Sequence, residues 1–79
     1  MALLTKKSLK KIEKNRNSVH QPVNATYCVF KNKDNTYFQI DTYGSSERSI
    51  PGKISQSLQL DKSTAESLIY LLKKEFHLN

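Results

Sequence analysis

The segment "TYFQIDTY", Thr36 to Tyr43, alternates with a period of two, so that Phe38 and Ile40 point one way while Tyr37, Gln39, Asp41 and Tyr43 point the other. A strand of this kind has one face to bury and one to leave open, and the rest of the chain must supply the cover. The preceding "ATYCVFK" is equally rich in β-branched and aromatic residues, and the "NKDN" between the two is turn-forming. Ala25–Lys31 and Tyr37–Tyr43 are therefore expected to pair as a hairpin. In the first strand Tyr27 and Val29 compete with Cys28 and Phe30 for the core, and the pattern leaves both choices open. Further on, "KISQSLQL" reads as a third strand, with Ile54, Leu58 and Leu60 on one face, interrupted by Gln56, and Ser55, Ser57 and Gln59 on the other.

The cover comes from the C-terminus. Asp61 or Ser63 caps a helix, and Ser63 to Glu66 fits the S-x-x-E capping box. Ala65, Leu68, Ile69, Leu72 and Phe76 recur at helical spacing and form a stripe expected to lie on the sheet. Tyr70, Leu71 and Leu78 fall beside or beyond that stripe, and a second apolar surface on a terminal helix suggests a homodimer contact. The expected class is α+β: an antiparallel sheet of three or four strands followed by a C-terminal helix packed on one face, spanning residues 23–79.

Residues 1–22 read differently. Leu4, Leu9 and Ile12 among the lysines fit a short N-terminal helix, but the apolar face is thin and a frayed arm fits as well. The following "NRNSVHQPVN" reads as a linker or a poorly formed edge strand. Of the net charge of +6, this segment holds +5, from Lys6, Lys7, Lys10, Lys11, Lys14 and Arg16 against Glu13. Such a basic arm suits counterion-releasing contacts to phosphates, and equally suits a solvated end. Its deletion through Arg16 is expected to spare the fold.

Seventy-nine residues lie near the lower limit for a core without metal, disulfide or partner. Cys28 is the sole cysteine, so no intramolecular disulfide forms, and it reads as a small apolar strand residue. No cysteine and histidine cluster has metal-ligand spacing, and no cofactor is expected. The start lacks the apolar run of a secretory signal, and no stretch has the length of a membrane span, so the expected location is cytoplasmic.

The order of hairpin, "YFQIDTY", a loop closing on "PGK", "ISQSLQL", an acidic cap and a helix resembles the single-stranded nucleic-acid-binding domain of transcriptional positive cofactor four and its small bacterial relatives. The resemblance runs from about Tyr27 to Phe76, anchored on Ile40, Asp41 and Tyr43, on Pro51, Gly52 and Lys53, and on Leu58 and Leu60 before Asp61. It implies a curved antiparallel sheet backed by a helix, dimerisation through the helices, and single strands lying over the exposed sheet. Two departures stand out: Gly44 replaces an aromatic residue usual in the family, and "SVHQPVN" is a poor source for the family's upstream strand.

Residue chemistry points to the same surface. Unpaired strands are held by aromatic faces that stack on bases and by cations that follow the phosphates. Tyr37, Gln39 and Tyr43 share a face that Ser55, Ser57 and Gln59 join if the strands are neighbours, with Lys31, Lys33, Arg48 and Lys53 around it. The alternative is an ordinary solvent-facing sheet. Gly44 and Gly52 suit positive φ in the long loop between the strands, and Ser45, Ser46, Arg48 and Lys53 fit a phosphate clamp or a protein-recognition surface. Catalysis is not expected, because His20 and His77 lie in a linker and at a helix end, away from any serine they could activate. Two functions follow: a dimeric binder of single-stranded DNA or RNA, or a small regulatory or inhibitory protein-interaction module of a bacterium or phage.

Overall fold

The computed structural model describes residues 1–44 and 53–79. Four strands, β1 (Ala2–Leu4), β2 (Ala25–Asn32), β3 (Asn35–Tyr43) and β4 (Ile54–Leu60), precede one helix, α1 (Lys62–Phe76). The sheet order is β1-β4-β3-β2, antiparallel except where β1 runs parallel to β4. The hairpin is tighter than expected. Lys33 and Asp34 both take positive φ, 50° and 67°, the two-residue geometry whose twist matches that of the flanking strands. Pairing therefore continues to Asn32 and Asn35.

Register settles the faces. Tyr27 pairs with Ile40 and Val29 with Phe38, so Tyr27 and Val29 take the apolar face, leaving Cys28 and Phe30 on the face of Gln39 and Tyr37. On the other side of β3, Phe38 meets Leu60 and Ile40 meets Leu58. The ladder then shifts: Thr42 pairs with Gln56 but Tyr43 with Ile54, which leaves Ser55 as the extra residue of a bulge. Ile54, expected beside Leu58 and Leu60, is thereby turned to the side of Tyr43.

The N-terminal expectation needs correction. Residues Ala2–Leu4 form an edge strand, Lys6–Ser8 form a single 3-10 turn, and the fourth strand comes from here rather than from "SVHQPVN". Residues 9–24 have no regular secondary structure. The N-terminus belongs to the folded unit because the Thr64 hydroxyl, fully buried, donates to the Leu4 carbonyl at 3.0 Å.

Asp61 is the N-cap of α1, its carboxylate accepting from the Thr64 amide at 2.8 Å. The Thr64 side chain and then its amide hold the Asp61 carboxyl below the usual carboxylate range. A depressed folded-state pKa contributes stability that is present above the unfolded-state value and lost as pH falls through the folded one. Urea midpoints should therefore drop below about pH 4, and Asp61→Asn, which keeps an acceptor, should flatten that part of the acid limb. At the other end His77 adopts the left-handed conformation, φ 56° and ψ 43°, and Leu78 N–H donates to the Lys73 carbonyl at 2.9 Å. Because a side chain is strained there, His77→Gly should stabilise by about 0.5–1 kcal/mol in thermal unfolding.

The core sits at the junction of β4, β3 and the first turn of α1. Leu60, 6% exposed, is the buried apolar side chain there, and among the described residues no other hydrophobic side chain is buried. The helix stripe does not cover the sheet as its spacing suggests. Ala65 lies with Val29, Phe38 and Leu60 around one cleft, whereas Ile69, Leu72 and Phe76 are exposed. The radius of gyration, 14.9 Å, exceeds the roughly 12 Å of a compact domain of this length.

Candidate nucleic-acid interface

The sheet face turned away from α1 gathers most of the expected residues. Along β3 it carries Tyr37, Gln39, Asp41 and Tyr43, flanked by Ser57 and Gln59 of β4 and by Thr26, Cys28 and Phe30 of β2. From Tyr37 to Tyr43 the strand covers about 20 Å. At one end the rings of Phe30 and Tyr37 stack, with centroids 5.5 Å apart and planes 24° from parallel. At the other, the hydroxyls of Tyr43 and Thr26 are hydrogen-bonded at 2.9 Å.

Between these ends runs a chain of polar side chains. Gln59 Nε2 donates to Gln39 Oε1 at 2.8 Å, Gln39 Nε2 donates to the Asp41 carboxylate at 2.9 Å, and Ser57 Oγ donates to the same carboxylate. Asp41 is 8% exposed, so these donors supply what water would otherwise provide. The amides thereby hold one orientation. A shallow pocket beside the chain is lined by Met1, Ala2 and Leu3 together with Gln39, Ser57 and Gln59.

The cations are less concentrated than expected. Lys31 pairs with Thr36 and lies on the apolar face with Val29, which removes it from the rim of the polar one. Lys33 occupies the hairpin turn, and Lys53 is exposed just before β4. Arg48, Ser45, Ser46, Pro51 and Gly52 lie outside the described residues. In the basic arm, Lys6 and Lys7 are in the 3-10 turn, Lys10, Lys14 and Arg16 are exposed, and Lys11 pairs with Glu75 of α1 at 3.1 Å. That pair sets this part of the arm beside the helix. Tyr70 and Leu71, expected at a dimer contact, border a groove with Lys6 and Leu9 of the same chain, and Leu78 is exposed beyond the helix cap.

Two participants were not visible in the spacing: Phe30, because the parity of β2 was undecided, and Asp41 as the hub of the polar chain. Among the described residues no helix is long and apolar enough to cross a membrane, and no group of acidic, cysteine or histidine residues could hold a metal ion. Comparison with protein families, curated proteins and solved structures found no match.

Proposed function

We propose that the protein binds single-stranded nucleic acid across the polar face of its sheet. The observation that carries this reading is an open face with stacked aromatic rings at one end, a tyrosine at the other and a pre-set row of amides and hydroxyls between. Rings give sequence-tolerant stacking, and ordered amides meet base edges without first losing rotamer freedom. The Asp41 carboxylate sets which side of the strand faces the sheet: it repels phosphate from the floor, so bases face inwards and phosphates run along the rim, near Lys33 and Lys53. The basic segment 1–22 adds attraction at longer range, and the resemblance to the positive cofactor four type points to the same surface. In a homodimer two such faces would engage one strand, and affinity would rise through effective concentration. The activity is binding alone, with no bond made or broken and no cofactor.

Labelled oligonucleotides titrated across salt concentrations test the reading. Binding should weaken linearly on a log–log scale, and Lys53→Ala should lower the slope by somewhat under one unit. Tyr37→Ala should cost about 1–3 kcal/mol whichever base is offered. Absence of wild-type binding at low salt would reject the proposal. The regulatory protein-partner reading is favoured by a different observation, the exposed apolar side chains Tyr27, Val29 and Leu58, and predicts a weak, irregular salt dependence.

A further inference from the structure

Register sets Gln39 opposite Gln59 and Asp41 opposite Ser57, two cross-strand pairs on the polar face of the sheet. A carboxylate accepts hydrogen bonds and has none to give. Gln39 Nε2 accordingly reaches both Asp41 oxygens, at 2.9 and 3.2 Å, and Ser57 directs its one hydroxyl proton to the same group. The Gln39 carbonyl oxygen is thereby turned towards Gln59, which meets it with Nε2 at 2.8 Å. A flip of the Gln39 amide would set oxygen against oxygen at Asp41, and a flip of the Gln59 amide would do so at Gln39. Bonds to a charged acceptor are the stronger kind, so Asp41 holds both amides in this order.

What the row leaves for a ligand is one-sided. Ser57 has given up its only proton and keeps its lone pairs, and Gln39 Oε1 keeps a second lone pair. Among the described residues no hydrogen bond reaches Gln59 Oε1, whose side chain is half-buried. Acceptors therefore dominate the row. It ends beside Leu3, the partner of Gln59 across β1 and β4, in a pocket of about 300 Å³ that Met1 and Ala2 help to line. That volume is at the small end of ligand sites, the scale of a single base rather than of a whole strand.

We infer that the Asp41–Gln39–Gln59 row with Ser57 selects bases bearing an exocyclic amino group, cytosine, adenine and guanine, over thymine and uracil. The inference rests on the nucleic-acid reading and adds a base preference to it. Cytosine N4 and adenine N6 each carry two protons at the corner of the base edge, where an unpaired base can offer them to acceptors. Thymine and uracil carry a carbonyl oxygen at that corner, and their one edge proton, on N3, lies between two carbonyls that would meet the acceptors of the row. Asp41 acts here as a positioning residue, since its carboxylate orients the amides that meet the base and does not itself need to touch it.

Oligodeoxycytidylate and oligodeoxyuridylate of equal length test the preference, because the two differ at the base edge and not in ring size or backbone. Titrated against the full chain at low salt, the cytosine oligomer should bind about five- to tenfold more tightly, the worth of a net hydrogen bond. Equal affinities, or tighter binding of the uracil oligomer, would overturn the inference and leave the nucleic-acid reading standing; binding of neither would remove both. Asp41→Asn keeps the shape but supplies a carboxamide that can donate, so the amides lose their fixed order and the preference should fall to within about twofold. A folded Asp41→Asn chain with the wild-type ratio would count against the role given to Asp41. Should that variant fail to fold, Gln59→Leu decides: it removes the terminal acceptor while leaving the bonds of Gln39 and Ser57 to Asp41, and it should lower the same ratio. An unchanged ratio there would overturn the inference. The ratio compares two ligands on one protein, so a general loss of affinity or stability does not mimic the result.

Discussion

Leu60→Ala is expected to remove about 2–5 kcal/mol of stability. A chain of 79 residues has roughly 4–12 kcal/mol in total, so the loss is a large fraction of the whole and brings the variant to the unfolding midpoint without denaturant at the lower end of that range. The reason is position. Leu60 pairs with Phe38, follows β1 through its pairing with Leu4, and immediately precedes the cap of α1. A cavity there loosens three elements at once, and no second buried cluster among the described residues can compensate. Urea unfolding followed by circular dichroism measures the loss. A shift below about 1 kcal/mol, the scale of a typical surface change, would show that stability resides elsewhere.

Removal of residues 1–5 should be nearly as damaging, in contrast to the sequence expectation that the arm is dispensable. The truncation deletes β1, exposes the β4 edge and leaves the buried Thr64 hydroxyl without its acceptor. An unsatisfied buried group alone costs about 1–3 kcal/mol, and the strand pairing and the Leu4 contact are lost besides. Charge and structure are separable by a second variant. Replacing Lys10, Lys14 and Arg16 with glutamine retains β1, so it should leave the urea midpoint unchanged while flattening any salt dependence of oligonucleotide binding. If the truncated chain unfolds like wild type, β1 contributes nothing to the core.

The polar face was legible to a large extent because a strand's side chains alternate regardless of context. Tyr37, Gln39 and Tyr43 on one strand and Ser57 and Gln59 on the next share a side as their spacing implies. The faces of Lys31 and Phe30 were left open by the same uncertainty: in "ATYCVFK" both parities offer aromatic and apolar residues, so composition carries no information about direction. Pairing with β3 supplies that direction. The bulge at Ser55 was invisible for a related reason, since one extra residue leaves no mark in a short polar run.

Local chemistry was enough to specify the hairpin, the third strand, the helix and its acidic cap, because turn residues, β-branched runs, helical periodicity and a capping carboxylate act over a few residues. Long-range geometry was needed for the rest. A three-residue strand has too few side chains to show a period, so Ala2–Leu4 becomes a strand only when the β4 edge and the Thr64 hydroxyl are there to receive it. The apolar stripe of α1 states that the helix must be covered but not by what. That depends on how the Asp61 cap and Thr64 join the helix to the sheet, and in the folded chain Ile69, Leu72 and Phe76 stay exposed, as do Tyr27, Val29 and Leu58 of the sheet's apolar face.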